Sequence, residues 1–146
     1  MTNKLSIIVP VYNEEKNIEN FLGRTLQTLQ KINQDYEIIF VLDPSNDNTE
    51  NIILKKIQQN KKIKLILLSR RFGQPSATLA GIHNANGDRY VVIDCDLQDP
   101  PELIFDLNLK MDDGYDVVFA RRRNRKGETF MKKMISKFGY NLINKI

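Results

Sequence analysis

Residues 91–103 read VVIDCDLQDPPEL. The apolar run from Val91 to Ile93 drives into Asp94, Asp96 and Asp99, with Gln98 between them and Pro100-Pro101 just beyond. A β-rich run that stops on polar turn residues reads as a strand leaving a core. The prolines then open a helix, PELIFDLNLKM, because proline suits a first helical turn. Crowded carboxylates at a strand end repel one another, which raises the question of what sits among them. In a strand end, Asp94 and Asp96 point to one side and Cys95 to the other. Two carboxylates plus the Gln98 carbonyl suit a hard divalent cation that keeps waters and takes substrate phosphates as further ligands. The plainer reading is a solvated turn in which Asp99 caps the next helix, and D-x-D alone leaves the two evenly matched. An EF-hand does not fit, since this loop lacks the required glycine and follows a strand.

Working outward, the same strand–turn–helix unit recurs. LSIIVPV (5–11), YEIIFVL (36–42), IKLILLS (63–69), RYVVID (89–94) and YDVVFA (115–120) read as five strands. Helices are expected from about Glu14 to Ile32, after the caps offered by Ser45 and Asp47, from Pro75 to the Asn86-Gly87 turn, and from Pro101. A last helix is expected from Glu128 to Ile146. The strands are mostly continuous Val/Ile/Leu runs, as when helices cover both faces of a parallel sheet. The fold class is therefore α/β with a mainly parallel sheet. Ligands of such sheets bind outside the carboxyl ends of the strands. The polar clusters fall there: Pro10 to Glu14, Asp43 to Asp47, Ser69 to Arg71, Asp94 to Gln98, and Arg121 to Arg125. Acids and arginines on one sheet edge make the chemistry of a metal-bridged diphosphate site.

The totals set bounds. A chain of 146 residues with 41% hydrophobic and 27% charged residues reads as one globular domain. It has no apolar run of about 20 residues to span a bilayer and no signal-peptide cleavage pattern. The single cysteine excludes an internal disulfide and fits a reducing compartment. Charge is uneven. Residues 1–120 carry 13 Lys/Arg against 17 Asp/Glu, net −4, while residues 121–146 carry 9 against one, net +8. A basic tail on an acidic body points to a localised anionic partner. Nucleic acid is not favoured, because aromatic residues are not interleaved with the basic ones.

Five motifs in register now carry a resemblance: PVYNEE (10–15), DPSNDNT (43–49), SRRFGQPSATLAG (69–81), DCDLQDPPE (94–102) and ARRRNRKGET (120–129). Their order and spacing resemble the polyprenyl-phosphate branch of the family 2 glycosyltransferases, over nearly the whole chain. The resemblance implies a GT-A fold, a nucleotide-sugar donor, Mg²⁺ or Mn²⁺, and a polyprenyl-phosphate acceptor. It assigns Pro10, Tyr12 and Glu14 to the nucleoside pocket, together with Asp43, the second Asp of the family's D-D-G-S. Asp94, Asp96 and Gln98 become the metal side. Arg122 and Arg125 match the basic loop that pairs with phosphate. Apart from the resemblance, Arg70 and Arg71 at the third strand end are either solvated or a further phosphate contact, and their position leaves the two evenly matched. The first Asp of D-D-G-S is Leu42 here and its Gly is Pro44, which leaves the donor base open.

Residues 1–125 are expected to form the donor-binding core, and 126–146 a basic amphipathic helix of the same domain. That helix either packs on the sheet or lies on an anionic membrane surface, at the inner, cytoplasmic face. In the resembled family an acceptor-side G-D-F segment with the general base follows the point where L-I-N-K-I stands here, so no catalytic base is assigned. The expected activity is metal-dependent, inverting transfer of a sugar to a polyprenyl phosphate. The alternatives are a donor-binding half, inactive or served by a separate acceptor and membrane half, and a soluble glycosyltransferase acting on a saccharide. His83 reads as a surface or packing residue, and Cys95 as a small packed side chain.

Overall fold

The computed structural model describes residues 4–121. Four strands, β1 (Leu5–Val11), β2 (Tyr36–Leu42), β3 (Ile63–Leu67) and β4 (Arg89–Val92), form one sheet. Its order is β3-β2-β1-β4 and every neighbouring pair is parallel. Four helices connect and follow the strands: α1 (Ile18–Ile32), α2 (Thr49–Gln59), α3 (Gln74–His83) and α4 (Leu103–Asp112). The expected α/β class with a mainly parallel sheet is what forms.

Continuous apolar runs are buried on both faces only in the central pair. Every residue of β1 is buried, and all of β2 after Tyr36. The edge strands are more open: β4 alternates, with Tyr90 and Val92 exposed while Val91 packs inward, and β3 buries only Ile63 fully. One face carries the larger core, where Ile7, Val9, Ile38 and Phe40 meet Ile18, Phe21 and Leu22 of α1, Ile53 of α2 and Ile104 of α4. Phe21 and Phe40 pack edge-on at 6.3 Å. Each such fully buried side chain contributes roughly 1.5–3 kcal/mol. The opposite face is thinner. Ala77 of α3 packs on Ile39 and Val41 there. Gly81 allows that approach, since a Cβ at this position would run into the side chains of Ile8 and Val41.

A buried carboxylate anchors the end of the sheet remote from the polar loops. Glu37, 1% exposed, accepts from Ser6 Oγ at 2.7 Å, the Asn86 amide at 2.6 Å and Lys64 Nζ at 2.6 Å. Ser6 Oγ in turn accepts the Gly87 amide at 2.9 Å, so the turn between α3 and β4 is tied to β1 and β2. Burial alone would raise the Glu37 pKa. The bonds from Lys64, Ser6 and Asn86 outweigh it and bring the carboxyl down to about 2.

Three expectations change. The fifth strand does not form: residues 115–120 lie in no ladder, with Val117 79% and Phe119 80% exposed. Their β-branched and aromatic residues favour a strand, but a strand exists only through a partner. Here the segment runs across a cleft of about 700 Å³ from the β4 edge instead of pairing with it. Helix α1 begins at Ile18, because residues 14–17 form a turn closed by the Asn17 amide on Glu14 O at 2.9 Å. The residue bounding α2 is Asn48, whose Oδ1 accepts from Asn51 Nδ2 at 2.9 Å. Asp47 takes the first helical amide, Thr49 N, on Oδ1 at 3.1 Å, while Ser45 instead binds the Asn13 amide of the loop after β1. Helix α4 is bounded by Glu102.

Candidate active site

Sheet order locates the site. The chain leaves β1 toward β2 and β3 on one side, and β4 returns to the other side of β1. The carboxyl ends of β1 and β4 therefore diverge at a switch point, where open α/β sheets form their crevice. A cavity of about 180 Å³ lies there, lined by Pro10, Val11, Tyr12, Glu14, Asp43, Gln74, Ala77, Asp94, Cys95 and Asp96. Six of the residues singled out from the sequence thus converge: Pro10, Tyr12, Glu14, Asp43, Asp94 and Asp96.

The loops that carry them are strapped together. Asn13 stands at φ 55°, in the left-handed region that Asn tolerates. From there its amide donates to Ser45 Oγ at 2.9 Å, and its Oδ1 accepts the Asn46 amide at 2.9 Å. The Glu14 amide donates to Thr49 Oγ1 at 2.8 Å, and the Glu15 amide to Asp47 Oδ2 at 3.0 Å. Glu15 Oε2 accepts the Asn48 amide at 3.0 Å. Much of PVYNEE and DPSNDNT therefore joins two loops and presents Tyr12 and Glu14 to the cavity.

A second linkage crosses from β2 to β4. Asp43, 3% exposed, accepts the Phe72 amide at 3.0 Å and the Gly73 amide at 2.9 Å, one on each oxygen. Gly73 stands at φ 85°, a conformation glycine adopts without strain. The next residue, Gln74, donates from Nε2 to Asp94 Oδ1 at 2.6 Å. On the same loop Arg71 lies 4.0 Å from the Tyr12 ring centroid, and Arg70 lies 4.5 Å from that of Phe72. Arg70 is not among the residues lining the cavity.

The carboxylate pair fits a divalent cation. Asp94 is held above the ordinary aspartate range, first by burial and then by the neighbouring Asp96 charge. Neither carboxylate forms an ion pair among the described residues. Among the described residues no group of three His, Cys, Asp or Glu side chains could enclose a metal. The chain thus supplies a two-carboxylate, open-sided donor set, which suits an ion completed by water and phosphate oxygens. Gln98 is exposed and does not line the cavity; its amide closes the turn on Asp96 Oδ1 at 2.9 Å. Leu97, at φ 62°, makes that turn. Arg122 and Arg125 lie outside the described residues, as does the basic segment 126–146.

Cys95 is buried, and burial first, then the charge of Glu14, pushes its thiol well up, as an inert packed thiol requires. His83 is exposed at the end of α3. Sequence reasoning missed Gln74. It lies within the quoted SRRFGQPSATLAG, but no spacing rule links it to an aspartate twenty residues on; only the crossing of α3 over the sheet does so.

The model of the family described as Glycosyl transferase family 2 matches residues 6–146. The chain belongs to that family. Similar proteins include an uncharacterized glycosyltransferase of Synechocystis sp., 46% identical over 100% of this chain and 46% of its own length. A second is the undecaprenyl-phosphate 4-deoxy-4-formamido-L-arabinose transferase of Proteus mirabilis, 43% identical over 92% of this chain and 42% of its own. Among solved structures, S. aureus TarS 1–349 in complex with UDP aligns with a TM-score of 0.61 at 25% identity, covering 86% of this chain and 37% of its own. The sheet and flanking helices are those of a GT-A glycosyltransferase. This chain spans less than half the length of these relatives.

Proposed function

We propose that the cavity binds the diphosphate and nucleoside of a nucleotide sugar, and that the protein passes the sugar, with inversion, to a membrane polyprenyl phosphate. The single observation that carries this is the meeting of Tyr12 and Glu14, at the end of β1, with Asp94 and Asp96, beyond the end of β4, in one cavity. Pro10, Tyr12 and Glu14 form the nucleoside side. Asp94 and Asp96 hold Mg²⁺ or Mn²⁺, with Gln98 close enough in the chain to reach that shell. When held by Asp94 and Asp96, such an ion would supply positive charge to offset that of a departing diphosphate. Arg122, Arg125 and Arg70 are assigned to phosphate oxygens, as guanidinium forks suit. A phosphate monoester acceptor is largely ionised near neutral pH, so its placement counts for more than a base in this chain.

The acceptor assignment draws on the Proteus relative, which is named for an undecaprenyl-phosphate substrate. No helix among the described residues is long and apolar enough to cross a membrane. We assign the net +8 tail to attraction toward an anionic membrane surface, on the cytoplasmic side where nucleotide sugars are present. Because this chain spans less than half of these relatives, transfer is proposed for the whole protein. The described residues act as its donor-binding part, and the acceptor part lies in cis or in a separate chain. Domain limits of 1–125 for the core and 126–146 for the basic segment belong to the same proposal.

Calorimetry with UDP and GDP, with and without Mn²⁺, tests the donor assignment. Binding is expected to require the ion and to vanish in Asp96→Ala. Equal affinity with and without Mn²⁺ overturns it. Flotation with vesicles containing anionic lipid tests the membrane assignment, and failure to float counts against it.

A further inference from the structure

Asp43 reads from the sequence as a nucleoside contact, yet its surroundings give it other work. Its side chain is buried and each oxygen is engaged by a backbone amide, Phe72 on one and Gly73 on the other. Those amides belong to the turn that delivers Gln74, and Gln74 reaches Asp94 at 2.6 Å. Two adjacent N–H groups converging on one carboxylate form a charge-assisted clamp, stronger than bonds to a neutral acceptor. The positive φ of Gly73 lies between that pair of amides and Gln74, so it sets the direction in which the clamped turn leads on to Gln74. The route from Asp43 to Asp94 is therefore continuous: carboxylate, turn, Gln74 amide, carboxylate. Gln74 engages one oxygen of Asp94 and so selects the orientation in which the other oxygen is presented.

We propose that Asp43 is a positioning residue that acts on the metal side of the cavity, through the Phe72–Gly73 turn and Gln74, and does not contact the nucleoside. This rests on the reading of Asp94 and Asp96 as the cation site. Asp43→Asn keeps the shape but replaces one acceptor oxygen by an N–H donor that opposes an amide. Gln74 is exposed, so Gln74→Ala removes the last link without opening the core.

The test compares Mn²⁺-dependent binding of UDP and of inorganic diphosphate to the wild-type chain, Asp43→Asn, Gln74→Ala and the double variant. Positioning through Asp94 predicts that Asp43→Asn weakens both ligands by a similar factor, about tenfold. It further predicts that Asp43→Asn adds little once Gln74 is alanine. In parallel, amide exchange at Phe72 and Gly73 in the ligand-free protein should speed up in Asp43→Asn and stay slow in Gln74→Ala. Weakened UDP with unchanged diphosphate means that Asp43 touches the nucleoside, and overturns the proposal. So does full additivity of the two substitutions, or unchanged amide exchange. Absence of Mn²⁺-dependent binding in the wild-type chain would instead overturn the cation site, while the exchange readout would still decide whether Asp43 holds the turn.

Discussion

Glu15 and Asp47 hold each other's loops: the Glu15 amide donates to Asp47 Oδ2 at 3.0 Å, and Glu15 Oε2 accepts the amide of Asn48, beside Asp47, at 3.0 Å. Asp47 Oδ1 also accepts from Thr49 N at 3.1 Å and Thr49 Oγ1 at 2.6 Å. One side chain thus joins the loop after β1 to the start of α2.

Asp47→Ala removes all three bonds and leaves two amides to water. The expected loss is about 2 kcal/mol, read from urea unfolding. Burial alone would raise the Asp47 pKa, but the Thr49 hydroxyl and the Glu15 and Thr49 amides outweigh it and lower the carboxyl. Its stabilisation is therefore complete above the ordinary aspartate pKa and is lost as acidification passes below it. An unchanged unfolding midpoint in Asp47→Ala would show that the strap does not bear on stability.

Glu37 predicts a sharper acid limb. Its carboxyl is held at about 2 against an ordinary 4.5. A lowered folded-state pKa gives stability that is full above 4.5, erodes below it, and is gone once pH falls through about 2. That window corresponds to an upper bound on the order of 3 kcal/mol. Glu37→Gln should flatten the dependence of unfolding free energy on pH across the same window. The same slope in both proteins would place the acid sensitivity elsewhere.

Gly81→Ala sets two effects against each other. Alanine gains about 1 kcal/mol of helix propensity over glycine. Its Cβ, however, meets Ile8 and lies 3.1 Å from Val41 Cγ2 on the sheet below. Overpacking of this kind costs roughly 1–3 kcal/mol, so a net destabilisation of about 1 kcal/mol is expected in urea. A more stable variant would mean that α3 can lift from the sheet without loss.

Asp94 and Asp96 report on each other. Burial is the larger cause of the raised Asp94 pKa, and the Asp96 charge is the next. In the ligand-free protein, Asp96→Asn should lower the Asp94 titration midpoint, without returning it fully to the ordinary range. Carbon-13 carboxyl titration by NMR measures this. An unmoved midpoint would show that the two carboxylates lie too far apart to share one ion.

Legibility followed the range of each physical effect. β1 and β2 were readable to the residue, because seven-residue apolar runs buried on both faces leave no competing pattern. The start of α1 was not, since Glu14 to Asn17 favour helix locally while the strap to the loop after β2 holds them in a turn. YDVVFA shows the opposite failure: its propensity is sound, but pairing needs a neighbour at the β4 edge that the described residues do not place there. At the site, residue types announced the cavity, while Arg70 and Gln98 stood in the right motifs without reaching its lining.

By itself the sequence determined the α/β class, the strand ends on which polar residues collect, and the family to which the motifs belong. These follow from periodicity and residue type, which act over a few neighbours. Tertiary structure alone decided that β4 returns beside β1, so that Tyr12 and Glu14 face Asp94 and Asp96. It also decided that Asp43 and Glu15 spend their carboxylates on backbone amides, and that Gln74 crosses to Asp94. Those pairings join residues twenty or more positions apart, and only the packing of α3 and the loops onto one parallel sheet brings their atoms within hydrogen-bond distance.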